Sequence, residues 1–314
     1  MHAELTPAAA ELIFAVWLFA MGGAVGSFLN VVVYRLPLGK SLVYPGSHCP
    51  ACEHPIRWHD NVPVLSWFLL RGRCRDCAAK FSFRYPAVEA ITAVLFVLVG
   101  VIEGLSGGAN LPLEPAVAVG GMVLPPLDIS QSAGIAAYHL VLLCTLLAAA
   151  LVEYDGHRLP VWLFLPGLVV GGVAPLVWPY LHPISAWHRP GGPIAGLVDG
   201  TAGLGLAVLL GLACRRLPGT KQSLGLVWGP ACAGLFLGWQ AVLGLTLATV
   251  ALWWPVSSLG SGRRTTRGLS RFSRRENGTV PLPDPIAWLA LLALAWILAW
   301  GWLVARWCML GLFG

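Results

Sequence analysis

Charged side chains are scarce in this chain: Lys, Arg, Asp and Glu make up 11% of its 314 residues, whereas apolar residues make up 57%. The mean hydropathy is +0.74, and the chain contains 15 tryptophans. This composition excludes an ordinary soluble domain and indicates a protein whose solvent is mostly lipid. The first apolar run also lacks the basic leading region and small-residue cleavage site of a signal peptide, so it is interpreted as a membrane span.

Long apolar runs set the expected fold class. A helix needs roughly 20 apolar residues to cross a bilayer core of about 30 Å. Between Leu224 and Leu259 lies a run of about 35 residues, which must hold two tightly connected helices. The sequence therefore predicts an all-α polytopic membrane protein with about eight transmembrane helices. The other runs begin near Glu11, Tyr85, Gly134, Leu159, Pro193 and Pro285.

Four cysteines form two C-x-x-C pairs in a polar segment between the first two spans. A C-x-x-C turn places two thiolates on one side of a knuckle, and two knuckles about 20 residues apart can close a tetrahedral zinc site. Zinc binding would fold a loop too small for a core of its own. The alternatives are two disulfides or four free thiols. The predicted ligands are Cys49, Cys52, Cys74 and Cys77, whereas the neighbouring His48, His54 and His59 are expected to surround the site or face solvent.

Basic residues distinguish the two sides of the membrane. They follow every odd-numbered span, whereas the opposite loops hold Arg189 alone, with Glu114 and Asp128 on the same side. The positive-inside rule then places the cysteine loop and the arginine-rich loop in the cytoplasm. Because the cytoplasm is reducing, this topology favours zinc over disulfides. The expected domains are a first transmembrane helix (1–36), a cytoplasmic four-cysteine zinc loop (37–84) and a seven-helix membrane domain (85–314).

The arginine-rich run SGRRTTRGLSRFSRRENG could bind nucleic acid or anionic lipid. Basic loops beside a membrane gain about 1 kcal/mol per charge near anionic headgroups. We favour membrane lipid as its partner and expect no nucleic acid.

Several segments resemble bacterial type IV prepilin peptidases. The specific matches lie in the N-terminal half: GAVGSFLNVVVYRLP at Gly23–Pro37, NVPVLSW and LRGRCRDC in the cysteine loop, and FSFRYPAVEAIT at Phe81–Thr92. Weaker matches follow at LPVWLFLPGL, GLFLGWQAVL and VPLPDPIAWLALLAL. Taken together, the resemblance spans most of the chain.

The resemblance implies a multi-pass protein of the bacterial inner membrane. Such proteins are intramembrane aspartic endopeptidases that remove the short basic leader from type IV pilin or pseudopilin precursors at the cytoplasmic face. In many members the same protein then methylates the new N-terminus with S-adenosylmethionine. The expected cofactors are therefore zinc and, where methyl transfer is retained, S-adenosylmethionine.

The family's catalytic pair carries over incompletely. Its first Asp lies seven residues before the proline of an L-P turn, a position that corresponds to Glu153, with Asp155 close by. The second closes a G-x-G-D motif, and the matching stretch here ends in Gly225-Leu226. Leucine cannot transfer a proton, and no acid occurs between Asp199 and Glu276. Asp199 is expected near the external end of its span, solvated or hydrogen-bonded, at the wrong depth to pair with Glu153.

Two hypotheses of different class follow from these residues. The first is a working prepilin peptidase and N-methyltransferase that uses Glu153 or Asp155 with an unidentified partner acid. The second is a non-hydrolytic relative, with Leu226 in place of the second acid, that binds precursors or retains only methyl transfer. A small-solute transporter is disfavoured because the sequence shows no internal repeat.

Overall fold

The computed structural model describes residues 6–106, 108, 110–111, 118–119, 122–123, 128–178, 181, 193–214, 225–261 and 285–309. Two compact units divide the chain, Met1–Leu105 and Ser106–Gly314. The domain boundaries expected from sequence remain a prediction.

The first unit contains two long helices and the cysteine loop. Helix α1 (Pro7–Arg35) begins at an N-cap, Thr6, whose hydroxyl accepts the Ala9 amide. A 3-10 turn (Leu36–Leu38) follows it. The loop contains a second 3-10 turn (Trp58–Asp60) and the short helix α2 (Leu65–Leu69). Helix α3 (Arg84–Val99) then continues into a π-helical segment, Gly100–Leu105.

Two glycines let α1 and α3 pack closely. A Cβ atom at Gly22 would lie 2.7 Å from the Ala93 Cα, and one at Gly26 would lie 2.7 Å from the Glu89 Cα. Small residues spaced four apart allow helix backbones to approach in this way. Asn30 adds a bond between the helices, because its side-chain amide donates to the Tyr85 carbonyl over 3.1 Å.

The second unit is a helix bundle. Its helices are α4 (Ile129–Tyr154), α5 (Leu165–Val177), α6 (Pro193–Cys214), α7 (Gly225–Ser261) and α8 (Pro285–Met309). A 3-10 turn (Val161–Leu163) leads into α5, and a two-stranded antiparallel hairpin pairs β1 (Ala118–Val119) with β2 (Met122–Val123). Asp128 caps α4 through a capping box with Gln131. Helices α6 and α7 pack along each other where Gly203 and Gly234 bring their backbones together.

The break in α7 was expected from the length of its apolar run. Gly238 has φ 80 and ψ 175, which are not helical, so it divides α7 into two helical segments. This agrees with the prediction of two tightly connected helices between Leu224 and Leu259. A Cβ at Gly234 would lie 2.7 Å from the Val242 Cγ2, which shows the two segments in contact across the break.

Membrane-spanning helices confirm the predicted fold class. Within the described residues, five helices are long and apolar enough to cross a bilayer, and two shorter apolar helices cover Val161–Val177 and Pro285–Ala299. The chain is an all-α polytopic membrane protein apart from its short hairpin. The count of eight spans remains a prediction. The five long candidates are Pro7–Leu38, Arg84–Leu105, Ile129–Tyr154, Gly196–Cys214 and Val227–Leu252.

Candidate functional site

The two C-x-x-C segments fold into matching knuckles. In the first, the Cys49 amide donates to the His54 carbonyl over 3.0 Å, and the Glu53 amide donates to the Cys49 carbonyl over 2.9 Å. The second knuckle, which begins at Cys74, repeats both bonds at positions 25 further along the chain, over 2.8 and 3.0 Å. The four thiols are therefore carried by two turns with the same pattern of backbone hydrogen bonds.

Each knuckle turns through a residue with a left-handed backbone. Glu53 has φ 60 and Ala78 has φ 59, and each directly follows the second cysteine of its pair. Non-glycine residues adopt this conformation at some cost, so the surrounding bonds must hold it in place. The reversal lets the chain return beside itself. One antiparallel backbone pair forms in each knuckle, between His48 and Pro55 and between Arg73 and Lys80.

The four sulfur atoms have the spacing of a tetrahedral site. All lie within 4.8 Å of one another, with Cys49 and Cys77 Sγ atoms 3.8 Å apart and Cys52 and Cys74 Sγ atoms 4.0 Å apart. A tetrahedron with zinc–sulfur bonds of about 2.3 Å has sulfur–sulfur edges of about 3.8 Å. The donor set therefore fits a four-thiolate zinc centre.

Backbone amides favour the thiolate form of one cysteine. The amides of Cys52 and Ala51 hydrogen-bond the Cys49 sulfur and lower the pKa of that thiol to about 6. For Cys52, the His54 amide acts in the same direction, but burial and the neighbouring thiols outweigh it and raise the pKa to about 12. Four thiols this close cannot all ionise without a cation, as expected for a metal-binding cluster.

Two ion pairs connect the second knuckle to the segment between the knuckles. The guanidinium of Arg75 makes a two-pronged contact with the Asp60 carboxylate over 2.7 and 2.5 Å, and Arg57 contacts Asp76 over 3.2 Å. The hydrogen bond from Arg75 holds the pKa of Asp60 below its usual range. These pairs connect residues of the second knuckle to the 3-10 turn that contains Asp60.

The histidines near the knuckles contact backbone carbonyls. The Nδ1 atom of His48 lies 2.9 Å from the Gly46 carbonyl, and that of His54 lies 3.2 Å from the Cys52 carbonyl. The metal-compatible group found among the described residues consists of the four cysteines. The expectation that the histidines surround the site or face solvent remains a prediction.

Glu153 lies at the C-terminal end of α4, buried with 8% exposure. Gly156, at φ 79, lies just beyond that helix and donates its amide to the Glu153 carbonyl over 2.9 Å. A Cβ at Gly225 would lie 2.7 Å from the Glu153 Oε1 and 2.5 Å from the Ile286 Cδ1. The structure thus brings Glu153, the first predicted acid, next to Gly225, the residue before Leu226. The ends of α4, α7 and α8 meet at this point.

Asp155 occupies a different position from Glu153. It is the C-cap residue of α4, partly exposed, with its amide bonded to the Leu151 carbonyl over 3.0 Å. Residues two apart on a helix do not face each other. The two acids of α4 therefore do not form a face-to-face carboxylate pair by helix geometry alone.

Asp199 lies against the break in α7. It is 6% exposed, and a Cβ at Gly238 would lie 2.7 Å from its Oδ2. Gly238 is 13 positions after Gly225 along α7, which is about 20 Å at 1.5 Å per residue. Asp199 and Glu153 therefore contact α7 at two points separated by this length of helix, and their difference in membrane depth remains a prediction.

Glu89 connects α3 to the cysteine loop. Its Oε2 accepts the Val64 amide over 2.7 Å, and its carboxylate also accepts a bond from Ser27. Val64 has φ 64 and is the N-cap of α2. Sequence reasoning did not find this link, because the two residues are 25 positions apart and share no motif.

A family model described as "Bacterial Peptidase A24 N-terminal domain" matches residues 20–102, which contain both knuckles. A "Prepilin leader peptidase/N-methyltransferase" of Klebsiella pneumoniae is 34% identical over 236 residues, covering 72% of this chain and 86% of that protein. The chain belongs to the prepilin leader peptidase/N-methyltransferase family.

Other members of the prepilin leader peptidase family match to different extents. A protein of the same name from Aeromonas salmonicida (strain A449) is 31% identical over 326 residues, covering 93% of this chain and 92% of the relative. One from Myxococcus xanthus (strain DK1622) is 38% identical over 159 residues, which are 51% of this chain and 39% of that relative. No solved structure matches the chain.

Proposed function

We propose that this member of the prepilin peptidase family acts on type IV prepilin or pseudopilin precursors at the cytoplasmic face of the bacterial inner membrane. The observation that carries the proposal is the contact between the Glu153 carboxylate and Gly225. It joins the two segments that resemble the family's acid motifs, although they are 72 positions apart (153 and 225). The relatives' name, prepilin leader peptidase, supports the class of substrate.

Hydrolysis at this site requires a second carboxyl group. One carboxylate takes a proton from water, whose oxygen adds to the scissile carbonyl carbon. The other acid donates a proton to the amide nitrogen as the carbon–nitrogen bond breaks. In this proposal Glu153 supplies one of these groups. The sequence offers Asp155 and Asp284 as partners to test, and Asp284 directly precedes α8, whose Ile286 contacts the Gly225 position.

A non-hydrolytic role is favoured by a different observation. The residue that follows Gly225 is Leu226, which has no proton to transfer, and Asp199 lies about 20 Å away along α7. In this second candidate the chain binds precursors, or methylates mature N-termini that another peptidase has released. The two candidates differ in whether the purified chain cleaves a leader.

Methyl transfer would use S-adenosylmethionine as the donor. When bound, it would supply a methyl group to the N-terminal amine, which attacks the methyl carbon while the carbon–sulfur bond breaks and the amine loses a proton. The sequence contains no nucleotide-binding glycine loop, so this activity carries no residue assignment.

Zinc is proposed as the metal of the cysteine cluster. The sulfur spacing near 3.8 Å and the amides that lower the pKa of Cys49 support four thiolate ligands. The ligands are Cys49, Cys52, Cys74 and Cys77, and their role is structural, because a site with four protein ligands leaves no open position for substrate.

The deciding experiment measures leader removal from a type IV prepilin in membranes containing the wild-type chain or single variants. Glu153→Gln should abolish cleavage if the chain is a peptidase, since an amide cannot take up or give a proton. Asp155→Asn and Asp284→Asn identify the partner, because only the variant that removes it should match Glu153→Gln. Asp128→Asn removes an acid at the far end of α4 and should leave cleavage unchanged.

The same experiment tests the non-hydrolytic candidate. If the wild-type chain does not cleave and Leu226→Asp does, the chain is a precursor-binding relative that has lost its second acid. Wild-type cleavage that survives Glu153→Gln would contradict both candidates. Methylation of a synthetic mature pilin N-terminus, followed with labelled S-adenosylmethionine, separates methyl transfer from binding alone.

A further inference from the structure

A groove runs along the face of α1 near its C-terminal end, within the first unit. Its volume is about 380 Å³. Helix α1 forms one wall with side chains at helical spacing, and the segment between the first 3-10 turn and the first knuckle forms the other. Residues that line it include Ser27, Phe28, Val31, Arg35, Val43 and Ser47.

Arg35 places a buried positive charge at this groove. The side chain is 9% exposed, and its guanidinium donates to the Ser41 carbonyl over 3.1 Å and to the Gly46 carbonyl over 3.4 Å. Both acceptors are neutral, and no carboxylate of the described residues lies within ion-pair distance of it. A buried cation without an opposite charge is unfavourable, so the groove attracts an anion.

One acid that contacts a residue of the groove, Glu89, is already hydrogen-bonded. Ser27, which lines the groove, bonds the Glu89 carboxylate, and that carboxylate accepts the Val64 amide over 2.7 Å. Glu89 does not itself line the groove. The Glu89 carboxylate is therefore bonded to α1 through Ser27 and to the start of α2 through Val64, and it forms no ion pair with Arg35.

The rest of the groove suits an amphipathic anion at a membrane boundary. Phe28 is 53% exposed and Val43 is 88% exposed, so apolar surface lies beside the buried cation. The surrounding segment, residues 35–84, contains eight basic and three acidic residues. Helix α1 is a candidate membrane span over Pro7–Leu38, which puts Arg35 near the end of the span.

We propose that this groove binds one anionic phospholipid of the leaflet in which α1 ends. Arg35 receives the phosphate, and the acyl chain lies along the apolar side chains Phe28 and Val31. A free phosphate would satisfy Arg35 equally well but would leave the apolar wall exposed to water, which favours the lipid. The groove is formed by residues of the first unit, and the proposal does not depend on leader cleavage.

The test counts phospholipids retained by the full-length chain in native mass spectrometry, after detergent exchange into phosphatidylglycerol or phosphatidylcholine. The wild-type chain should retain one phosphatidylglycerol about fivefold more strongly than phosphatidylcholine, the factor expected for one basic side chain near an anionic headgroup. Arg35→Gln should remove that preference. Arg73→Gln removes the same charge from an exposed position outside the groove and should keep it.

A second variant guards against misfolding of Arg35→Gln. Ser47→Asp leaves Arg35 in place but puts a carboxylate into the groove, so it should also lose phosphatidylglycerol preference. Zinc content and helical circular dichroism report whether each variant is folded. A folded Ser47→Asp chain that retains the wild-type preference overturns the proposal. Displacement of the lipid by millimolar inorganic phosphate would instead assign the groove to a free anion and overturn the lipid.

Discussion

The carboxylate of Glu153 lies against Gly225, so that a single added methyl group at Gly225 would come within 2.7 Å of the Glu153 Oε1. The residues are far apart in sequence and belong to the ends of two helices, α4 and α7. Ile286, in the first turn of α8, lies on the third side, where the same added methyl would come within 2.5 Å of its Cδ1. Only the absence of a side chain at position 225 lets these three elements meet.

Gly225→Ala should therefore impair both stability and function. The added methyl cannot be accommodated unless Glu153 or Ile286 moves, and overpacking of this kind costs about 1–3 kcal/mol. A displacement of about 1 Å at a catalytic carboxylate can lower the rate by about 10²-fold. Thermal unfolding in detergent and the prepilin cleavage or methylation assay measure the two effects.

Gly205→Ala is the matched control for that substitution. Gly205 lies in α6, where a Cβ would have nothing within 4 Å. Replacing a helical glycine by alanine there should leave unfolding unchanged or raise stability by up to about 1 kcal/mol. Equal behaviour of the two variants would show that the Glu153–Gly225 contact is unimportant.

Cys74→Ser should remove zinc and unfold the cysteine loop. The sulfur atoms of the two knuckles lie within 4.8 Å of one another, so a metal bound by all four would join the knuckles. We expect one zinc per purified wild-type chain and less than about a tenth of that in the variant, measured by plasma mass spectrometry. Cys144→Ala removes a thiol of α4 outside the cluster and should retain one zinc; a metal-replete wild-type chain without zinc would contradict the assignment.

Asp60→Asn should weaken the hold of the loop on its metal. The variant loses the two-pronged bond to Arg75, which lies beside Cys74 in the second knuckle. The hydrogen bond from Arg75 lowers the pKa of Asp60. The contribution of the Asp60 carboxylate is therefore present above the ordinary range of an aspartate and is lost only as the pH falls through the lowered pKa. We expect the variant to transfer zinc to a chelator faster than the wild-type chain does. The difference between the two should be the same at about pH 6 and about pH 8. A difference between wild type and variant that vanished towards pH 6 would contradict this origin.

Gly238→Ala should destabilise the junction between the two segments of α7. Gly238 has φ 80, a backbone conformation that is strained for alanine, and the added Cβ would lie 2.7 Å from the Asp199 Oδ2. We expect a loss of at least 1 kcal/mol in reversible unfolding. Gly172→Ala, at an open position of α5, is the control. The double variant that combines Gly238→Ala with Asp199→Ala should recover only the part of the lost stability that comes from the clash with Asp199.

Local chemistry in the sequence accounts for much of this protein. Apolar runs long enough to cross a bilayer predict the helices, because backbone N–H and C=O groups inside lipid can form hydrogen bonds only with each other. The C-x-x-C spacing predicts the thiol cluster, because a tight turn fixes two sulfur positions at once. The long run before Leu259 predicts a break, and Gly238 provides it.

Tertiary packing decided which distant residues meet, and the sequence could not. Glu153 reaches Gly225, Asp199 reaches Gly238, and Glu89 reaches Val64 because glycines and left-handed turns allow close approach at those points. The same is true of Arg35, whose charge is evident in the sequence but whose burial beside neutral carbonyls is not. Such contacts depend on the three-dimensional fit of whole helices and loops, which no local pattern of residues encodes.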